Sequence, residues 1–463
     1  MMYAFLTVII FGQTPLFPPD SIVYPLKVDT ITEMELAIFP PKNAQPPLSY
    51  MIDWGDGDTL NWTEPILSLH EIYRYHRYRA IGSFAIKVMA KDAGDRVSLW
   101  SNPCSVQVSP ALVKWFFPTL EPVVAAPALD ENGNIYIGDE SGTLYSLTPA
   151  GGLRWTFSVR SPIYGACAIA DGRIYLPALD SHLYCLDTMG KLQWSVNLGD
   201  ELWSPPAIAN DNTTYILSDK GKFYKIDSKG KIRWTFQLGD EATSAPTIGP
   251  DGLIYLALDS LYCFNSRGKR RWVFGTPDGS YFFAAPVLDE KGLIYAGNFD
   301  GFIYCLGRDG RLRWRAPVPD EDEIRTELVF APDANIHCGT DGYYLCSKPP
   351  NGTVSTLYEA QDAVCATPAI SEKGTIYFLA DDGILYAINA GGRTIFTQEI
   401  AGGDKDIYYS SSPAIAADGT VYVGSWDGGI YGIFGDAPPA KTTWPQYRQN
   451  VQRTGRVVIK KGN

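Results

Sequence analysis

The chain has 463 residues, and 51 Asp and Glu against 39 Lys and Arg leave a formal charge of −12. That balance excludes a dedicated nucleic-acid binder, because a phosphate backbone is gripped by a basic excess or a basic stripe. With 45% hydrophobic and 19% charged residues the chain is an ordered globular protein, and 44 Gly, 28 Tyr and 12 Trp beside four His and six Met predict short strands and tight turns, with few helices.

Residues 3–11 form an uncharged apolar run. It is too short to span a bilayer as a helix. It has the length of a secretory h-region but lacks the Lys or Arg of an n-region and an obvious cleavage site. Residues 1–19 are expected to be an export signal, with an ordinary first strand as the alternative. No later segment is long and uncharged enough to cross a membrane.

Residues 20–110 carry Pro-rich loops at Phe39-Pro40-Pro41 and Gln45-Pro46-Pro47. Trp54-Gly55-Asp56-Gly57 follows, then His76-Arg77-Tyr78, Gly82-Ser83-Phe84 and the alternating Phe84, Ile86, Val88 and Ala90. Alternation predicts half-buried strands. The order and spacing of these elements resemble a polycystic-kidney-disease (PKD) domain, an immunoglobulin-like β-sandwich, which implies an extracellular spacer or adhesion unit. Asp53, Asp56 and Asp58 offer oxygens to calcium, but a solvated turn that uses Asp and Gly for backbone geometry is the preferred reading.

From residue 126 one sentence recurs: Ala-Pro-apolar, a turn, Ile-Tyr, a second turn, Leu-Tyr, a third turn with Gly, then Trp. Its first Tyr slot falls at Tyr136, Tyr175, Tyr215, Tyr255, Tyr295, His337, Tyr377 and Tyr422. A unit of about forty residues with four apolar runs predicts a four-stranded antiparallel blade, and such units arrayed about an axis make a β-propeller. The strands are called A (Ala-Pro-apolar), B (Ile-Tyr), C (Leu-Tyr) and D (Trp). Unit six is degraded, with His337 in the first Tyr slot, Leu345 in the second and no Trp; unit eight lacks a D strand. Lys114-Trp115-Phe116-Phe117 has the D pattern of Arg154-Trp155-Thr156-Phe157 and is expected to complete unit eight. The expected fold is all-β: an eight-bladed β-propeller over residues 111–437, or a seven-bladed one if unit six forms no blade, with a tail over 438–463.

These units resemble the pyrroloquinoline-quinone-like (PQQ-like) repeats shared by quinoprotein dehydrogenases and the outer-membrane assembly factor BamB. Trp444-Pro445-Gln446-Tyr447-Arg448 and Thr454-Gly455-Arg456 also resemble a segment found beside such propellers. The resemblance implies a fold; repeat residues hold blades together and leave function open. Quinone-dependent dehydrogenation is one alternative that it raises. In that family the quinone and calcium sit in the central funnel, often against a vicinal cysteine pair, and no Cys-Cys exists here, so neither cofactor is expected.

Cys185, Cys263, Cys305 and Cys346 are read as repeat-equivalent and so as buried hydrophobes that do not face one another. Cys104, Cys167, Cys338 and Cys365 show no CxxC or Cys/His zinc spacing. No nucleophile elbow, phosphate loop or HExxH motif appears, and no catalytic residue is assigned.

The D to A loops and B to C turns share one propeller face, which carries Trp203, Tyr281, Phe282, Phe283, Asp300, Tyr408, Tyr409, Trp426 and Asp427 beside the acidic run Asp320-Glu321-Asp322-Glu323. The opposite face is richer in Lys and Arg, Arg270 and Arg271 among them. Aromatic rings beside charged groups suit a protein or glycan partner. The expectation is an exported, non-enzymatic binding or assembly scaffold at the cell envelope, with a glycan-binding or glycan-cleaving propeller as a further alternative.

Overall fold

The computed structural model describes residues 15–457 apart from 20, 24–26, 30–33, 68, 79–81, 110–111, 240–243 and 401–410. Residues 1–14 of the expected export segment 1–19, and the pair Tyr408 and Tyr409, lie outside the described residues. The chain forms two compact units, Met1–Leu112 and Val113–Asn463. The described residues contain no α-helix, only strands and one 3-10 turn at Pro319–Glu321.

The first unit has two sheets. Ser21–Val23, Met34–Phe39 and Ile72–His76 form one; Lys27–Asp29, Cys104–Ser109, Gly82–Lys91, Ser49–Asp53 and Thr59–Leu60 form the other, in that spatial order. Alternate residues of both turn inward, so Leu36 and Ile38 meet Ile52, Ile86 and Val88 in one core. Trp54 stacks on His76 with centroids 4.6 Å apart, and the buried Tyr78 hydroxyl donates to the Trp54 carbonyl at 3.1 Å. The turn between them is held by its own carboxylates: Asp53 accepts the Gly55 N–H, while Asp56 accepts the Asp58 N–H and lies 2.8 Å from His76 Nε2.

Among the described residues the second unit has eight four-stranded antiparallel sheets, each in the order A-B-C-D. In the first sheet these are Ala128–Leu129, Ile135–Gly138, Thr143–Leu147 and Leu153–Ser158. The B and C strands are buried, and D alternates, as expected of an outer strand with one face in water. The last sheet joins Ala414–Ile415, Val421–Ser425 and Gly429–Ile433 to the upstream strand Val113–Pro118, as the D pattern around Trp115 predicts.

A tryptophan latch joins sheet eight to sheet one and each of sheets one to four to the next. Trp115, Trp155, Trp194, Trp234 and Trp272 donate their indole N–H to carbonyls of the following sheet's C to D turn, at Pro149, Thr188, Ser228, Ser266 and Arg308. The turn glycine beneath the ring is obligatory: Gly151 has φ +82°, and a Cβ there would stand 2.6 Å from Trp115. Trp115 thus completes the last sheet and latches onto the first, which closes the ring and removes its open sheet edges.

Unit six forms a full sheet, but its register corrects the sequence reading. His337 pairs with Ser347 and Cys338 with Cys346, so Ser347 stands where Cys305 stands opposite Tyr295. Cys346, not Leu345, fills the second Tyr slot. The B to C turn is as long as in the preceding sheet, and Tyr343 at φ 74° takes the left-handed position that Gly301 holds there, so Cys346 falls where Tyr304 does. Cys346 is therefore not equivalent to the other three cysteines, and it faces Cys338 across the ladder. Cys167, Cys185, Cys263, Cys305, Cys338, Cys346 and Cys365 are free thiols.

Candidate functional site

The A strands surround a central channel, and the loops leading into them from D form its mouth. Among the described residues, the B to C turn of six sheets is tied to that loop on the same face, through Glu140 N–H to Pro122 O, Asp219 N–H to Glu201 O and Phe299 N–H to Tyr281 O, for example. Every sheet contributes to the funnel so formed, from Ala126 and Tyr164 through Trp203, Ala245, Phe283, Arg325 and Thr367 to Ser412. It encloses about 110 Å³.

Its floor is the chain's own C-terminal segment. The sequence leaves residues 438–463 as a tail, whereas the structure builds 438–457 into the propeller. The second residue of strand A has an N–H that faces away from its sheet, and the tail supplies the acceptor. Phe330, Ile370, Leu129, Ile169, Ile208 and Ile248 donate in turn to the carbonyls of Trp444, Pro445, Val451, Gln452, Thr454 and Gly455, and Ile415 donates to Gln446 Oε1. The tail thus engages seven of the eight sheets. Tyr447 rises from it into the funnel.

The tail is anchored by buried charge. Glu327 of the degraded unit six stands where other units place Ala126, Ala245, Ala285 or Thr367. Its carboxylate, 2% exposed, accepts from the Trp444 indole and the Arg448 backbone N–H, both at 2.8 Å, and pairs with the Arg448 guanidinium at 3.3 Å. Arg453 is fully buried and donates to the carbonyls of Pro127, Ser412 and Pro413 from three sides. Burial pushes its pKa down to about 10.

At the mouth, Trp203 stacks on Tyr164 with centroids 5.0 Å apart, and Phe283 stacks on Phe299 at 5.6 Å. Arg325 lies over Phe283 and Phe299 at 6.0 and 5.5 Å and pairs with Glu323 and Asp341. Burial disfavours its charge, yet these carboxylates outweigh burial and hold its pKa above the ordinary value. Burial likewise raises the Asp322 carboxyl, with help from Asp320 and Asp341, and pushes the Cys365 thiol up. The mouth is therefore two aromatic platforms beside one guanidinium, within an acidic surround.

The expected site residues separate. Trp203 and Phe283 line the funnel. Tyr281 is 53% exposed, Trp426 half-buried and Asp427 exposed. Phe282 is not on the surface at all: it is 1% exposed and meets Tyr304 edge-on at 5.6 Å, because its N–H bonds the Leu258 carbonyl and the ring turns into the inter-sheet core. Asp300 hydrogen-bonds the Tyr304 hydroxyl, and burial raises its pKa. Tyr164, Arg325, Glu327 and Tyr447 were not singled out by sequence. The Ala position of the A-strand Ala-Pro signal was the clue for Glu327, since a charged residue there breaks a run of small ones.

Comparison with known proteins follows this geometry. The sequence profile of the family described as "Outer membrane protein assembly factor BamB" matches residues 86–201 and 180–336, more than half of the chain. The chain belongs to this family. Three solved structures show where the BamB-like fold recurs. BamB from Moraxella catarrhalis is 14% identical with a TM-score of 0.59, covering 70% of this chain and 98% of that one. Sqt1 from Saccharomyces cerevisiae is 12% identical with a TM-score of 0.61, over 71% and 99%. The computationally designed Ika8 protein is 17% identical with a TM-score of 0.56, over 68% and 97%. At these identities the likeness is one of fold. No curated protein matches the chain in sequence.

Proposed function

We propose that this BamB-like chain is a non-enzymatic, eight-bladed scaffold that binds a protein partner outside the cytoplasm, carried on a PKD-like spacer. The observation that carries the reading is the funnel whose far end is filled by the chain's own tail. Such a channel has one usable mouth, and that mouth presents paired aromatics and Arg325. Its enclosed volume of about 110 Å³ is small beside small-molecule sites of roughly 300–1,000 Å³, which favours a side chain or loop inserted at the mouth over a resident cofactor. The family's description as an assembly factor, the two-sheet first unit and the apolar first residues support the extracytoplasmic placement.

The test is capture from envelope extract by the wild type, by Trp203→Ala/Phe283→Ala and by Arg270→Glu/Arg271→Glu on the opposite face. Partners retained by the wild type and the Arg variant but lost by the aromatic variant bear out the reading. Capture that depends on Arg270 and Arg271 instead would place the partner on the other face.

A further inference from the structure

Sheet six has no latch tryptophan and sheet seven carries Phe396 in its place, but at the joint between sheets five and six the tryptophan is present and the latch is not made. Trp314 should sit on the next C to D turn, but that turn is Lys348-Pro349-Pro350-Asn351-Gly352, and among the described residues the Trp314 indole donates to no carbonyl. Beside it opens a cavity of about 660 Å³ on the face opposite the funnel mouth, closed on one side by Lys441, Thr442 and Thr443 of the tail. That size is within the roughly 300–1,000 Å³ of ligand sites.

The residue at the base of this cavity is out of character for its position. Opposite the residue before the first Tyr slot, the other sheets place Leu147, Leu186, Ile226, Phe264, Leu306, Ile388 and Ile433. Sheet six places Lys348 there, opposite Ile336. The side chain is 6% exposed. Its ammonium lies 4.5 Å from the Trp314 ring centroid and donates to the carbonyls of Pro349 and Gly352 at 3.1 and 3.2 Å. An ammonium has three donors, so one remains, and no carboxylate lies within ion-pair distance among the described residues. A buried charge without a counter-ion is costly, and two turn carbonyls and an indole face do not neutralise it.

We propose that this cavity is a second binding site, independent of the funnel, for a single carboxylate carried on an apolar body. Lys348 supplies the counter-charge. Trp314, Phe330, Ile336 and Pro350 supply the apolar wall. Asp289, Glu290 and Lys291 also line the opening, and Glu372 there is held by Lys441 at 2.5 Å; three carboxylates against three ammoniums leave no excess positive charge to hold a dianion such as phosphate, while the buried Lys348 ammonium can match one carboxylate. The chemistry fits either a free acylated amino acid or the C-terminal residue of a peptide.

The experiment uses the full chain with N-acetyl-leucine, N-acetyl-leucinamide and an octapeptide ending in Leu, as free acid and as amide, read by ligand-observed NMR and calorimetry. Both acids should bind saturably, each amide at least about tenfold more weakly. The tighter of the two acids names the source. Lys348→Met and Lys348→Leu, which restore the residue type of the other sheets and should fold at least as well, should abolish the preference for acid over amide. Absence of saturable binding at millimolar ligand, equal binding of acid and amide, or an unchanged preference in the Lys348 variants would overturn the proposal.

Discussion

The indole of Trp115 lies on Gly151 and donates its N–H to the Pro149 carbonyl at 3.0 Å, while its own strand completes the sheet that ends at Ile433. One side chain thus joins the last sheet of the ring to the first. Trp115→Ala removes the ring, the hydrogen bond and the packing on Gly151. Large-to-small changes of aromatic side chains at packed sites cost about 3 kcal/mol. A clearly lower melting temperature is expected, measured by circular dichroism, with Phe116→Ala, which truncates a 49% exposed ring, as the milder comparison.

Glu327 and Arg448 tie the tail to unit six. Glu327→Gln keeps the shape but leaves the Arg448 guanidinium buried without its carboxylate, and breaking such a pair costs about 3–5 kcal/mol. The tail should then loosen and become open to trypsin at Arg448 and Arg453, read by mass spectrometry of the released peptides. Adding Arg448→Met should restore much of the protection, because the orphaned charge is removed with its partner.

Adjacent loop residues should answer differently to truncation. Tyr281→Ala should change stability by less than about 0.5 kcal/mol, as surface substitutions do. Phe282→Ala should lose about 3–5 kcal/mol, since it opens a cavity against Tyr304. Denaturant titration of the two variants decides between them.

In the first unit, burial alone would raise the Asp92 carboxyl. The Arg96 guanidinium, at 2.6 Å, and the backbone N–H groups of Gly94 and Arg96 outweigh burial and hold it below the usual carboxylate range. A depressed folded-state pKa contributes stability that is present above the unfolded value, about 3.9, and is lost as pH falls through the folded one. Denaturation midpoints should therefore fall as pH drops below about 4, and Asp92→Asn should weaken that acid dependence while lowering stability at neutral pH.

The sequence alone determined the repeat, its strand order and the displaced closing strand, because alternating apolar residues, Gly-bearing turns and Trp at fixed offsets are local signals repeated eight times. It also placed Trp203 and Phe283 on the loop face, since loop position follows from strand order. What only the tertiary structure decided lies where local and long-range demands meet. Phe282 and Phe283 are neighbours in one loop, yet one faces the core and the other the funnel, because a backbone bond to Leu258 sets the rotation of that loop. The register of unit six turned on Tyr343 taking the left-handed φ that Gly301 holds in the preceding sheet, which puts Cys346 and not Leu345 in the second Tyr slot. The tail gives no strand pattern of its own, since its partners are single N–H groups of seven strands, and their convergence on one axis exists only once the ring has closed.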